Sequence, residues 1–153
     1  MAMNKNISLG KIFPRSFRLM AMPLVAVLLI SLLMSSSSHK TTIFIIGDST
    51  AAEKGNYRNY PERGWGMVFQ GCFDDQIIVD NHAVNGRSSK SFLDEGRWQK
   101  ILDKMQPGDY VIIQFGHNDE KKFPDRYTIP GGTFDAHLAK YVNETRQKGG
   151  IPV

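Results

Sequence analysis

Three short apolar runs divide the sequence into strand-like segments. Residues 42–46 are apolar and β-branched and end at Gly47, a pattern that predicts a strand buried on both faces. Residues 77–79 form a second buried run, and residues 110–115 form a third. Each run has the length of a strand and is separated from the next by turn-forming residues. The pattern therefore predicts three buried strands.

The segments between and after these runs show helical spacing instead. Apolar side chains recur at intervals of three and four within residues 64–72, within residues 88–105 and again before Gly149. Pro107 and Gly108 end the second of these helices, and Gly149 with Gly150 ends the third. The apolar positions are Trp65, Val68, Phe69 and Cys72 in the first helix, Phe92, Trp98, Ile101, Leu102 and Met105 in the second, and Phe134, Leu138, Tyr141 and Val142 in the third.

This alternation of strands and helices predicts the α/β class, with a mainly parallel sheet and helices on both faces. Residues 151–153 begin another apolar segment. A helix without its return strand lacks a partner for its apolar face. We therefore expect the fold to be truncated after the third strand and the following helix.

Residues 1–34 have the pattern of an export signal. They carry four cations and no acid, and an apolar run over residues 24–34 is broken only by Ser31. This order is typical of a cleaved signal peptide. An uncleaved anchor is the alternative, because the stretch from Leu19 to Met34 is only slightly shorter than the roughly 17 residues that a spanning helix needs. We expect residues 35–41 to be a polar tether and residues 42–153 the folded domain, secreted or periplasmic and without stable membrane association after cleavage.

Charge and cysteine content exclude several function classes. The formal net charge of +4 comes from the N-terminal cations, since the rest of the chain has equal numbers of basic and acidic residues. A nucleic-acid partner is therefore not expected. Cys72 is the only cysteine, which excludes an internal disulfide. His, Cys, Asp and Glu residues show no metal-ligand spacing, so we expect neither a metal nor an organic cofactor.

A polar cluster follows each predicted strand, at residues 47–50, 85–89 and 116–119. The carboxyl ends of parallel strands meet at one edge of a sheet. Ser49 lies on a tight turn there, which is the position of an exposed nucleophile. Gly86 and Asn118 offer a backbone N–H and a side-chain amide that, with the Ser49 N–H, suit a developing oxyanion. Each residue alone has a simpler explanation as a cap, a turn or a loop, but their joint placement predicts an acyl-transfer site.

These clusters resemble the sequence blocks of the SGNH/GDSL hydrolase family and, within it, the rhamnogalacturonan acetylesterase-like branch. Residues 47–49 are similar to the first block, Gly86 to the second, and residues 116–119 to the third. The resemblance implies a three-layer, flavodoxin-like fold in which Ser49 is the nucleophile and Gly86 and Asn118 belong to the oxyanion hole. Further residues similar to that branch are 62–66, 91–92, 96–98, 107–110 and 144–153.

The family's last block is an Asp-x-x-His, whose His is the general base and whose Asp orients it. It would lie beyond Val153, so no residue of this chain inherits those roles. We assign His117 to a structural or substrate-positioning role, and we expect Asp48 to fix the turn. Arg87 suits the carboxylate of an acidic sugar, although a surface ion pair is an equal alternative.

The resemblance implies an exported serine carbohydrate esterase that removes acetyl groups from a pectic polysaccharide, its expected partner. A non-catalytic fragment or carbohydrate-binding remnant is one alternative. A lipase or thioesterase on the same fold is another, although it would favour an apolar groove. Without the last block, we expect at most residual esterase activity. The loop arginines that argue against an apolar groove are Arg58, Arg63, Arg87, Arg97 and Arg126.

Overall fold

The structure is a computed structural model that describes residues 39–55 and 61–153. The predicted signal peptide and the first residues of the predicted tether lie outside the described residues. Residues Lys40–Val153 form one unit. Within the part of the chain that the structure describes, no helix is long and apolar enough to cross a membrane.

The strands form one parallel sheet in the order β2-β1-β3-β4. β1 (Thr41–Gly47) lies between β2 (Ile77–Asn81) and β3 (Tyr110–Gln114), and both neighbours run parallel to it. β4 (Ile151–Pro152) pairs in parallel with the start of β3. The α/β class and the parallel sheet are thus confirmed.

The fourth strand is an addition to what the sequence pattern predicted. Ile151 aligns with Tyr110 and Pro152 with Val111, and Val153 continues the ladder by donating its N–H to Val111 at 2.8 Å. The expectation that the sheet stops after its third strand was therefore wrong. The pattern missed this strand because two paired residues are too short to show a period.

α1 (Ser89–Asp94) and α2 (Arg97–Leu102) replace the single helix that was predicted over residues 88–105. Gly96 separates them and has a φ of +66°, a left-handed conformation that glycine adopts without steric cost. α1 begins at an N-cap in which the Ser88 hydroxyl accepts the Ser91 N–H at 3.1 Å. α3 (Thr133–Gln147) confirms the third predicted helix and ends before Gly149.

The predicted helix over residues 64–72 is instead a pair of 3₁₀ turns, Trp65–Met67 and Phe69–Cys72. Its glycines weaken any α-helix in this segment. Two of them also allow close packing. A Cβ at Gly64 would lie 2.1 Å from the Ala52 carbonyl oxygen, and one at Gly66 would lie 2.5 Å from Nδ2 of Asn81.

The side chains of β1 alternate between two cores, one on each face of the sheet, because successive residues of a strand point to opposite faces. This confirms that β1 is buried on both faces. β2 was also predicted to be buried, but it lies at the edge of the sheet and leaves Ile78 45% exposed. One core contains Phe44, Ile46, Phe92, Trp98, Ile101, Leu102, Met105, Val111 and Tyr141, and the other contains Ile45, Ala51, Ala52 and Ala83.

Candidate active site

The sheet topology brings the three polar clusters to one edge. β1 is central and its two neighbours are parallel to it, so the residues after β1, β2 and β3 leave the sheet on the same side. Hydrogen bonds connect the segment of the second cluster with each of the other two clusters. The Val84 N–H donates to the Gly47 carbonyl at 3.0 Å, and the Asn118 amide donates to the Arg87 carbonyl at 3.1 Å.

The turn that carries Ser49 is held by Asp48. The buried carboxylate of Asp48 accepts the Thr50 N–H at 2.9 Å and the Thr50 hydroxyl at 2.8 Å, both through Oδ1. Its backbone carbonyl accepts the N–H groups of Ala51 and Ala52. The expectation that Asp48 fixes this turn is confirmed. Ser49 is partly exposed, and its N–H donates no hydrogen bond to another described residue.

Side chains from the neighbouring strands also brace this turn. Oε1 of Gln114, at the end of β3, lies 2.6 Å from the oxygen of the Thr50 hydroxyl. The Asn81 amide, at the end of β2, donates to the Ala51 carbonyl at 2.9 Å. The backbone N–H of Trp65, in the first 3₁₀ turn, also donates to the Thr50 carbonyl at 2.9 Å. These contacts fix the nucleophile turn to both adjacent strands, and the sequence patterns had not identified them.

The second cluster forms a tight turn around Gly86. The Arg87 N–H donates to the Val84 carbonyl at 3.3 Å across the turn, and Gly86 has a φ of +75°. A residue with a side chain would be strained in that conformation. The Gly86 N–H donates to no other described residue, so it is available to a ligand. The buried ammonium of Lys54 donates to Asn85 Oδ1 at 2.8 Å and connects this turn to the chain after Ser49.

Asn118 is buried, with 2% of its surface exposed, and both ends of its side-chain amide have partners. Nδ2 donates to the Arg87 carbonyl, and Oδ1 accepts a hydrogen bond from the Lys121 ammonium at 3.2 Å. The second N–H of Nδ2 has no partner among the described residues. A buried donor held in this way is suited to an oxyanion.

Asp119 connects the third cluster to α1. Its carboxylate, 4% exposed, accepts the Ser89 hydroxyl at 2.5 Å, the Ser89 N–H at 3.0 Å and the Thr128 hydroxyl at 3.0 Å. The Ser89 hydroxyl has one proton, and it donates that proton in the hydrogen bond to Asp119. Nδ1 of His137, 3.1 Å from the Ser89 oxygen, is therefore the donor of that contact.

Tyr141 completes the support of this network from the core. Its hydroxyl donates to the Ser89 carbonyl at 2.7 Å. Burial, followed by the negative charges of Asp119, Asp94 and Glu144, raises the pKa of Tyr141 well above its ordinary value. The phenol therefore remains protonated and keeps donating this hydrogen bond.

Arg87 forms the ion pair that the sequence left as an alternative. Its Nε lies 3.1 Å from Oε1 of Glu95, and its Nη1 donates to the Asn85 carbonyl at 2.9 Å. Glu95 also accepts from Arg97. Slight burial acts to raise the pKa of Glu95, but the two arginines outweigh it and the pKa is lowered. The role of Arg87 in substrate binding stays a prediction.

The histidines near the sheet edge contact residues other than Ser49. His117 is exposed, and its Nδ1 lies 3.5 Å from Oε1 of Glu120, so its substrate-positioning role also stays a prediction. His82 Nε2 lies 2.9 Å from Oδ2 of Asp80. Within residues 39–55 and 61–153, no group of three His, Cys, Asp or Glu side chains is arranged to hold a metal ion.

Arg126, which the sequence indicated only as one of several loop arginines, lies beside the second cluster. A Cβ added at Gly86 would lie 3.7 Å from its Nη1. The guanidinium carbon of Arg126 lies 5.2 Å from the centre of the Phe123 ring, and its Nη2 lies 3.4 Å from Oδ2 of Asp125. The chain returns to the second cluster through a loop after Asn118, and sequence spacing gives no sign of that return.

A cavity of about 470 Å³ lies beside the third cluster. Ser49, Gly86 and Asn118 are not among the residues that line it, so it is distinct from the oxyanion site. Its lining residues are Gly116, Asp119, Glu120, Lys122, Tyr127, Thr128, Pro130 and Phe134.

Comparisons with curated proteins identify relatives for most of this chain. It is 42% identical over 112 residues to the probable rhamnogalacturonan acetylesterase YesY of Bacillus subtilis strain 168, a match that covers 72% of this chain and 51% of YesY. It is also 42% identical over 111 residues to the rhamnogalacturonan acetylesterase RhgT of the same strain, over 72% of this chain and 46% of RhgT. The chain thus spans about half the length of these relatives.

The fold and the family agree with these matches. The crystal structure of protein YxiM from Bacillus subtilis is similar with a TM-score of 0.61 and 26% identity, over 74% of this chain and 32% of that chain. The model of the GDSL-like lipase/acylhydrolase family matches residues 45–153, which is more than half of the sequence. The chain therefore belongs to the GDSL-like lipase/acylhydrolase family.

Proposed function

We propose that this chain carries the nucleophile and oxyanion groups of a carbohydrate esterase that removes acetyl groups from a rhamnogalacturonan-type pectic polysaccharide. The observation that carries the proposal is that the segments with Ser49, Gly86 and Asn118 follow adjacent parallel strands and leave the sheet at the same edge. Hydrogen bonds from Val84 to Gly47 and from Asn118 to Arg87 connect these segments. The curated relatives named rhamnogalacturonan acetylesterases support the substrate class.

In this proposal the Ser49 hydroxyl attacks the acetyl carbonyl and gives its proton to a general base. The carbonyl oxygen becomes an oxyanion that accepts hydrogen bonds from the N–H groups of Ser49 and Gly86 and from the Asn118 amide. Collapse of this intermediate breaks the bond to the sugar oxygen, which takes up the proton. Water then attacks the acetyl-enzyme, releasing acetate and restoring the serine.

The general base in this proposal is the histidine of the family's Asp-x-x-His block, as the resemblance implies. His82 and His137 each have another partner, Asp80 and Ser89 respectively. Partial burial acts to raise the pKa of Asp80, but the neighbouring His82 and Lys104 outweigh it and lower the pKa, so the carboxylate stays charged.

The position of Arg126 favours an acidic substrate. Its guanidinium lies beside Gly86, and its carboxylate partner Asp125 is 64% exposed and only at 3.4 Å, a weak surface pair. A guanidinium binds carboxylates with two parallel hydrogen bonds. A uronate next to the acetylated sugar would therefore find a cation close to the oxyanion site.

Acetate release from two acetylated polysaccharides tests this proposal. We expect acetylated rhamnogalacturonan, which is acidic, to be a better substrate than acetylated xylan. Arg126→Gln is expected to lower kcat/KM on the acidic polymer about tenfold, the size of one charge-assisted hydrogen bond. The same substitution should leave the rate on a small neutral aryl acetate unchanged.

Arg97→Gln is the matched control, because Arg97 also pairs with a surface carboxylate but lies on α2. Equal losses in both arginine variants would contradict the role of Arg126. Preference for a long-chain acyl ester over both polymers would instead favour a lipase or thioesterase. Binding of the polymer without any acetate release would favour a carbohydrate-binding remnant.

We also propose that the protein is exported. The support is the N-terminal order of four cations, an apolar run and small polar residues in the sequence. N-terminal sequencing of secreted material is expected to give a first residue between Ser35 and Lys40. A protein that retains Met1 and is recovered from the cytosol would contradict export.

A further inference from the structure

Asn118 has side-chain partners that permit only one orientation of its amide. The ammonium of Lys121 can only donate, and it lies 3.2 Å from Oδ1. The backbone carbonyl of Arg87 can only accept, and it lies 3.1 Å from Nδ2. Rotating the amide by half a turn would bring N–H against ammonium and oxygen against oxygen. The assignment of Nδ2 as a donor therefore follows from the chemistry of both neighbours.

The ammonium of Lys121 contacts Asn118 rather than a carboxylate. This ammonium forms no ion pair with a carboxylate in the described ranges. By contrast, an Asp or Glu carboxylate pairs with the ammonium groups of Lys54, Lys90, Lys104 and Lys140. The side chain of Lys121 is partly buried, and its backbone N–H donates to the Asn118 carbonyl at 3.3 Å. Backbone and side chain thus both hold Lys121 on Asn118.

We propose that Lys121 is a positioning residue of the oxyanion site, acting through Asn118. Its charge at Oδ1 holds the amide with Nδ2 facing the Arg87 carbonyl, and polarises the amide so that the remaining N–H is a stronger donor. The inference rests on the proposed function, in which that N–H binds the oxyanion. Lys121 itself does not touch the reacting atoms.

The consequence is a defined kinetic effect. An oxyanion donor acts in the transition state, so a misdirected Asn118 lowers kcat while substrate binding is kept. Losing a whole donor costs about 10²–10³ in kcat. Lys121→Met keeps the donor but loses its polarisation and one of the two contacts that orient it, so we expect about a tenfold fall in kcat with KM unchanged.

The test compares Lys121→Met, Lys121→Arg and Lys122→Met, an adjacent lysine that is exposed. Kinetics on a small aryl acetate are measured beside the NMR signals of the Asn118 side-chain NH₂ group, which are assigned by their disappearance in Asn118→Asp. We expect Lys121→Met to lower kcat and to shift these signals, and Lys121→Arg to restore both. Lys122→Met should behave as the unmodified protein.

Asn118 signals that stay in place in Lys121→Met, with a kcat equal to that of Lys122→Met, would overturn the proposal. A fall in kcat that Lys121→Arg does not restore, with the Asn118 signals unmoved, would also overturn it. If a form of the protein that includes the Asp-x-x-His block releases no acetate beyond its Ser49→Ala variant, the proposed function fails. The NMR comparison still decides whether Lys121 orients Asn118.

Discussion

Ser49→Ala is expected to remove acetyl transfer from this protein while leaving its stability unchanged. The hydroxyl is the nucleophile in the proposed reaction, and loss of a catalytic serine costs about 10⁶-fold in kcat where the full catalytic set is present. The fold should not suffer, because the Ser49 hydroxyl donates no hydrogen bond to another described residue and the turn is held by Asp48. The measurement is acetate release from an aryl acetate, with urea unfolding in parallel.

A second readout makes the result independent of turnover. Incubation with an activated aryl acetate should add one acetyl group to Ser49, detected by mass spectrometry of the peptide that contains residues 47–52. Cys72→Ser is the matched control, since Cys72 is an exposed thiol that could also react with such esters. Acetylation that persists in Ser49→Ala and disappears in Cys72→Ser would contradict the assignment of the nucleophile.

The sequence was sufficient to predict the class of fold because buried strands carry strong local patterns. β1 is apolar at each position from Ile43 to Ile46, and this continuous run occurs where both faces of a strand are covered. β2 carries a similar run, yet it lies at the edge. Whether a strand is central or peripheral depends on the pairing of distant segments, which a single run does not encode.

The catalytic candidates were predictable for a related reason. Ser49, Gly86 and Asn118 each follow a strand that could be recognised, and the geometry of a parallel sheet brings strand ends together. Lys121 lies three residues after Asn118 and contacts it within a local turn, whereas Arg126 lies further along the same loop. Arg126 reaches the second cluster because the loop after Asn118 folds back, through contacts such as the Thr128 N–H to the Asp119 carbonyl at 3.0 Å. Long-range loop contacts of this kind leave no period in the sequence.

The same contacts make Asp119 the residue whose removal should be most damaging to stability at the sheet edge. Asp119→Ala is expected to lower the free energy of unfolding by about 3 kcal/mol, because a buried charge-assisted acceptor is lost and its donors are left unpaired. The Ser89 hydroxyl can turn toward His137, whose ring can change tautomer to accept. The Ser89 N–H has no such freedom, since it is fixed at the start of α1.

Asp119→Asn separates the charge from the hydrogen bonds. The asparagine amide keeps one acceptor oxygen but turns its NH₂ toward one of the groups that donate to Asp119. We therefore expect the free energy of unfolding to fall by about half as much as in the alanine variant. Urea unfolding of both variants is compared with Glu120→Ala, the neighbouring exposed carboxylate, which should change stability by less than about 0.5 kcal/mol. If Asp119→Ala were as stable as Glu120→Ala, the network would not hold the loop. The positions of Asn118 and Lys121 would then have to be set by the Arg87 carbonyl and the return through Thr128 alone.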